Sequence, residues 1–168
     1  SIMSRDAYGH LFAITGTTFG WHGRTFNGTT DKIVGTDAPA LNITGNITLL
    51  QWAKLDSSGV GNYHTFLGKY DAAGGVQHGY IMWVKDTNVL GCRLGKTTTA
   101  TDQAGTTNIQ DDKWHLFGVV YDGIAIRLKL DGVTEGTDSA YTTGMTSSTP
   151  QLFCVGVRNE SGVAYDVF

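Results

Sequence analysis

Residues 113–132 read KWHLFGVVYDGIAIRLKLDG. Two runs rich in β-branched and aromatic residues each end in Asp-Gly, the pattern of strands closed by turns. The second run alternates: Ile124, Ile126, Leu128 and Leu130 share one parity, Ala125, Arg127, Lys129 and Asp131 the other. Successive strand side chains point to opposite faces, so this run predicts a strand with one face on a core and one in water. The first run, WHLFGVVY, is apolar on both parities, with Trp114, Leu116 and Val120 opposite Phe117, Val119 and Tyr121. It predicts a more central strand covered on both sides. Asp122-Gly123 between them predicts a two-residue hairpin turn.

Outward from this hairpin, short apolar runs separated by Gly/Asn/Asp clusters continue in both directions. HLFAIT (10–15), GRTFNG (23–28), DKIVG (31–35), NITLLQWAKL (46–55), YHTFLGKYD (63–71), HGYIMWVKD (78–86), NVLGCRLG (88–95) and QLFCVGV (151–157) all fit strands, and no segment fits an amphipathic helix. The fold class is all-β, an antiparallel β-sandwich. The polar, Thr-rich stretch at 96–108 is expected to be a long exposed loop, of a length that often carries function. Four tryptophans fall at even spacing, Trp21, Trp52, Trp83 and Trp114, but their flanks share no register and do not define a repeat.

Composition narrows the function classes. The chain has 168 residues, the size of one domain, with 23 Gly, 2 Pro, 16% charged residues and a net charge of −3. No basic patch suits a nucleic-acid backbone, and no apolar run approaches the length of a membrane span. The first ten residues lack the basic and apolar regions of a secretory signal. Cys92 and Cys154 each sit in an apolar stretch, where they read as buried thiols or as a disulfide. Four N-x-Ser/Thr sequons start at Asn27, Asn42, Asn46 and Asn159; in a Thr-rich chain such matches arise readily by chance.

Four stretches, in order, resemble the laminin-G-like (concanavalin A-like) jelly-roll domains related to pentraxins. They are GRTFNGTTDKI, NITGNITLLQWAK, DDKWHLFGVVYDG and LKLDGV, all within residues 9–157. The resemblance implies a jelly roll with a calcium ion at the sandwich rim. Asp31, in the opening motif, and Asp37, in the following loop, are the candidate metal ligands. It also implies a closing strand beginning where the chain stops at GVAYDVF, so the sequence is expected to lack that strand and to be part of a larger protein; the opening motif and the YGHLFAITG start also resemble domains of phage structural proteins.

Catalytic patterns are absent. The only Glu residues, Glu135 and Glu160, fall in expected turns, and no strand carries alternating acids of the kind a glycoside hydrolase uses. The five His have no GxSxG or HExxH context. His115 is expected to pack at a sheet edge and donate a single hydrogen bond. The expectation is a non-catalytic binding or adhesion module that recognises a glycan or protein surface, with Tyr80 and Trp83 as candidate ligand-binding aromatics. The alternative is a structural or capsid-decoration module without a sugar ligand. Either would sit at an extracellular or virion surface, as a homo-oligomer or in a capsid or tail assembly.

Overall fold

The computed structural model describes residues 2–58, 63–147, 150–160 and 163–165. It is an all-β sandwich whose strands pair antiparallel, with two short 3₁₀ turns at Pro39–Leu41 and Ala73–Gly75. In chain order the strands are β1 (Ile2–Arg5), β2 (Leu11–Thr15), β3 (Thr18–Gly20), β4 (Gly23–Thr25), β5 (Lys32–Gly35), β6 (Ile47–Lys54), β7 (His64–Asp71) and β8 (His78–Val84). They continue as β9 (Val89–Lys96), β10 (Thr99–Asn108), β11 (Trp114–Tyr121), β12 (Ala125–Leu130), β13 (Val133–Ala140), β14 (Cys154–Val155), β15 (Arg158–Glu160) and β16 (Val163–Tyr165).

Eight strands form one sheet in the order β1-β2-β5-β14-β7-β8-β9-β10. Four form the facing sheet in the order β13-β12-β11-β6. Two-stranded ribbons, β3-β4 and β15-β16, flank them. The two main sheets meet over Leu49, Phe66, Met82, Leu94, Phe117 and Leu128, all in one core cluster. Phe66 and Phe117 stack across the interior with centroids 4.5 Å apart. A large-to-small change at either would leave a cavity, which is why such contacts dominate the stability of a sandwich.

The opening hairpin is β11 and β12, registered so that Tyr121 faces Ile126 and Phe117 faces Leu130. Two expectations for it change. Residues 122–125 lie between the last paired residues, so the connection is longer than a two-residue turn. Asp122 builds it by accepting hydrogen bonds from the amides of Ile124 (3.0 Å) and Ala125 (2.9 Å). The outer face of β11 is also open rather than covered: Trp114 is 38% and Leu116 36% exposed, while Phe117 and Val119 on the inner face are fully buried.

The Thr-rich stretch is not a loop. Thr99–Asn108 is β10, the longest strand, paired with β9 from Thr99–Lys96 to Asn108–Val89. Thr is β-branched and suits a half-exposed edge strand, a role that its polarity conceals in the sequence. Strand β13 was equally hidden in VTEGTDSA. Glu135, expected in a turn, lies in β13 and ties the two sheets together. Its carboxylate accepts hydrogen bonds from the amides and hydroxyls of Thr106 and Thr107 at a bulge in β10. Gly105 makes this approach possible, since a Cβ there would fall 2.6 Å from Glu135 Cγ.

Cys92 and Cys154 are buried free thiols. They sit on β9 and β14, three strands apart in the large sheet, a separation of about 14 Å that no disulfide spans. Burial pushes the Cys154 thiol up to about 12 and raises that of Cys92 as well. Asn159, Glu160 and the closing residues expected at GVAYDVF fall in part outside the described side chains; Val163–Tyr165 pairs with Arg158–Glu160. Among the described residues no helix is long and apolar enough to cross a membrane.

Candidate functional site

Tyr80 and Trp83 do not form a stacking surface. Strand β8 lies inside the large sheet between β7 and β9, and both of its faces are covered. Tyr80 is 2% exposed, points into the core and donates its hydroxyl to the Leu41 carbonyl at 3.1 Å. Trp83, 1% exposed, lies on the other face beneath the Arg93 guanidinium (4.8 Å to the ring centroid) and the edge of Tyr63. Their alternation along β8 was legible in the sequence. The cover on the outer side was not, because it comes from Arg93 on β9 and from Tyr63 just before β7.

Asp31 and Asp37 have other work. Asp31 is buried, and its carboxylate accepts the Asn27 amide at 3.1 Å, while the Asn27 side chain accepts the amides of Thr29, Thr30 and Asp31. The carboxylate also lies against Gly16 (φ +77°), where a Cβ would come within 1.8 Å of Asp31 Oδ1. The opening motif is thus a folded turn locked by Asn27 and Asp31. Asp37 accepts a 2.8 Å bond from the Lys69 ammonium, which is fully buried and also donates to the Gln151 carbonyl. A divalent cation at Asp37 would sit beside that ammonium. Among the described residues no group of three or more His, Cys, Asp or Glu side chains is placed to hold a metal ion. Both candidate carboxylates are thus engaged within the protein, Asp31 by the Asn27 amide and Asp37 by the Lys69 ammonium.

A different place in the molecule combines aromatic and polar groups. A cleft of about 540 Å³ opens where the β3–β4 ribbon meets the turn leaving β6 and the turn entering β11. Its donors are Arg24 and Lys54, its carboxylates Asp56 and Asp112, and the Trp114 indole stands at its wall. Each group is positioned locally. Arg24 donates to the Thr17 hydroxyl at 3.2 Å and lies over the Phe19 ring. Asp56 accepts the amide and hydroxyl of Ser58, which hold its carboxyl below the usual range. Asp112, with φ +61°, accepts the Ser57 hydroxyl at 2.5 Å and so fastens the two turns together.

Trp114 continues the cleft onto the outer face of the small sheet. Its ring lies parallel to that of Trp52, with centroids 6.3 Å and planes 7° apart. The His22 ring also neighbours it, at 6.5 Å and tilted by 51°. His22 and the fully exposed Trp21 form the tip of the β3–β4 ribbon, between paired Gly20 and Gly23. Leu50 and Trp52, 59% and 58% exposed, extend the surface along β6. These residues were missed from the sequence. The signal was present in ITLLQWAK, where Leu50 and Trp52 share parity with Thr48 and Lys54, the mark of a solvent face.

His115 binds two carboxylates rather than donating one bond. Its Nδ1 lies 2.6 Å from Asp131 and its Nε2 3.2 Å from Asp111. Asp131 also accepts the Leu116 amide at 2.8 Å, so this histidine braces the start of β11 directly beneath the aromatic surface. It is a strut of the hairpin.

No curated protein matches the chain in sequence. Solved structures share its fold at low identity. The CBM40 module of the Ruminococcus gnavus IT-sialidase superposes with a TM-score of 0.64 at 11% identity, covering 77% of this chain and 73% of that one, and it has also been solved bound to α2,3-sialyllactose. The carbohydrate-binding module CBM66 from Bacillus subtilis superposes at 0.50 with 14% identity over 85% of each chain. Domains LG4-5 of the mouse laminin α1 chain superpose at 0.51 with 13% identity, covering 73% of this chain and 31% of that one. The sequence profile described as the concanavalin A-like lectin/glucanases superfamily matches residues 27–167, and the chain belongs to that superfamily.

Proposed function

We propose that the protein is a non-catalytic glycan-binding module that works at an extracellular surface as part of a larger assembly, and that sugar binds in the cleft walled by Trp114. The observation that carries this reading is the juxtaposition, in one cleft, of an indole face with side-chain donors and carboxylate acceptors. A pyranose has one apolar C–H face, which packs on an aromatic ring, and a rim of hydroxyls that both donate and accept hydrogen bonds. Arg24 and Lys54 supply donors; Asp56 and Asp112 supply acceptors. The formal charges of these four groups cancel, which suits an uncharged sugar.

Asp56 is poorly suited to the acid role in hydrolysis. A glycosidase acid must hold its proton near neutral pH, which needs a raised pKa. Asp56 is shifted the opposite way. Glu135 is saturated by four hydrogen bonds on the far edge of the sheets. The fold relatives that are carbohydrate-binding modules support the reading at the level of architecture.

A glycan array probed with the wild-type protein and with Trp114→Ala tests the proposal. Binding to a discrete set of glycans that is lost in the variant is expected. No binding to any glycan by a folded wild-type protein would overturn it.

A further inference from the structure

Resting on that reading, we infer that His115, which does not line the cleft, is the residue that positions Asp112 and Trp114 in it, and that the proton on its ring controls how tightly sugar is held. The segment leading into β11 divides by alternate residues. Gln110, Asp112 and Trp114 line the cleft, whereas Asp111, Lys113 and His115 do not line it and bind one another.

Asp111 is the centre of that second set. Its Oδ1 meets His115 Nε2 at 3.2 Å and accepts the Lys113 amide at 3.1 Å, and its Oδ2 accepts the Lys113 ammonium at 2.8 Å. Led by the Lys113 ammonium, these bonds hold the carboxyl down at about 2. On the other side of the ring, the 2.6 Å contact from Nδ1 to Asp131 ties it to the turn after β12. Asp112 fastens the same segment to the turn leaving β6, through the Leu55 carbonyl and the Ser57 hydroxyl.

Both ring nitrogens therefore face carboxylate oxygens, and the protonated ring is the one that fits. An imidazolium carries an N–H on each nitrogen and satisfies both acids; a neutral imidazole carries one. That one stays on Nδ1, at the shorter contact, and the Nε2 lone pair is left facing Asp111, acceptor against acceptor. Asp111 then moves off the ring and draws Asp112, the next residue, from its place in the cleft. The charged groups that face the ring are Asp111 and Lys113 from its own segment and Asp131 from the turn between β12 and β13. Strand β6 presents Ala53 opposite it, and β11 the Phe117 ring. Burial lowers the pKa of the ring, but the two carboxylates outweigh it and raise it above 6.5. The latch is accordingly closed below 6.5 and opens as pH rises through the folded value.

The test is titration with the strongest glycan from the array between pH 6 and pH 9, with NMR of the carbon-bound protons of His115, Asp112 and Trp114. The affinity should fall about threefold across that range, and saturation with the glycan should raise the ring's midpoint by about half a unit, because the coupling is reciprocal. Without glycan, the Asp112 and Trp114 signals should shift with the same midpoint as the ring. Asp111→Asn removes the carboxylate facing Nε2, keeps the His115–Asp131 contact and should make the affinity flat with pH. It also keeps His22 and His64, the other imidazoles at the cleft, so a dependence lost in this variant belongs to His115. An affinity that does not change with pH, a dependence that survives in Asp111→Asn, or Asp112 and Trp114 signals that ignore the ring's midpoint overturns the inference and leaves the cleft reading intact. If no glycan on the array binds, both fall.

Discussion

The indole of Trp52 lies parallel to that of Trp114, 6.3 Å away on the next strand, with both rings on the outside of the sandwich. Buried aromatic pairs hold a fold together. This pair adds little to the core, because the Trp52 ring is more than half exposed.

The energetic contrast with the interior pair is measurable. Trp52→Ala is expected to change the free energy of unfolding by less than about 1 kcal/mol. Phe117→Ala, which removes a fully buried ring stacked on Phe66, is expected to cost about 3–5 kcal/mol. Urea unfolding followed by fluorescence separates the two cases.

The Glu135 clasp makes the fold sensitive to acid. Burial opposes the charged carboxylate, but the amides of Thr106 and Thr107 and their hydroxyls outweigh it and lower its pKa from the ordinary 4.5. A carboxylate with a depressed folded pKa contributes stability that is present above 4.5 and is lost as pH falls through the folded value. Glu135→Gln should therefore unfold more readily than wild type at pH 7, and the difference should shrink toward pH 3. Glu135→Ala, which leaves the Thr106 and Thr107 amides without this acceptor, should cost about 1–2 kcal/mol at neutral pH.

His115 acts on the alkaline side. Burial disfavours the charged ring, yet the carboxylates of Asp131 and Asp111 together outweigh that effect and raise the pKa above 6.5. A raised folded pKa gives stability that is fully present below 6.5 and fades as pH rises through the folded value. The melting temperature should fall from pH 6 to pH 9 in wild type and stay flatter in His115→Gln. A direct NMR titration of the ring should place its midpoint above 6.5.

The Lys69–Asp37 contact distinguishes a structural role from a metal-binding one. Asp37→Ala removes the carboxylate facing a fully buried ammonium and is expected to cost about 2–3 kcal/mol, less than a wholly buried pair because Asp37 is partly exposed. Because the Asp31 and Asp37 carboxylates are engaged by Asn27 and Lys69, neither calcium nor a chelator should move the wild-type melting temperature. A rise in that temperature with calcium would return the two residues to the role of metal ligands.

Strong alternation and turn chemistry made much of the architecture legible in the sequence: NITLLQWAKL, HGYIMWVKD and the run ending in LKLDG all contain strands, with Ile126 and Leu128 on the core face as expected, whereas Ile124, expected beside them, is exposed. What escaped was information that neighbours supply. Thr99–Asn108 looks like a polar loop until β9 provides its hydrogen-bond partner. Trp83 looks available until Arg93 and Tyr63 cover it. Trp114 looks like a framework residue until the β3–β4 ribbon and the Lys54–Ser58 turn close a cleft around it. Side-chain parity is local, whereas exposure is decided by strands far away in the chain.

The most direct test is an NMR titration of the isotopically labelled protein with the strongest glycan from the array. The account predicts that the amides of Lys54–Ser58 and Asp111–Trp114 and the indole N–H of Trp114 shift together and saturably, with the amides of β8 unmoved. Shifts confined to residues away from this cleft, with Trp114 unaffected, would contradict it.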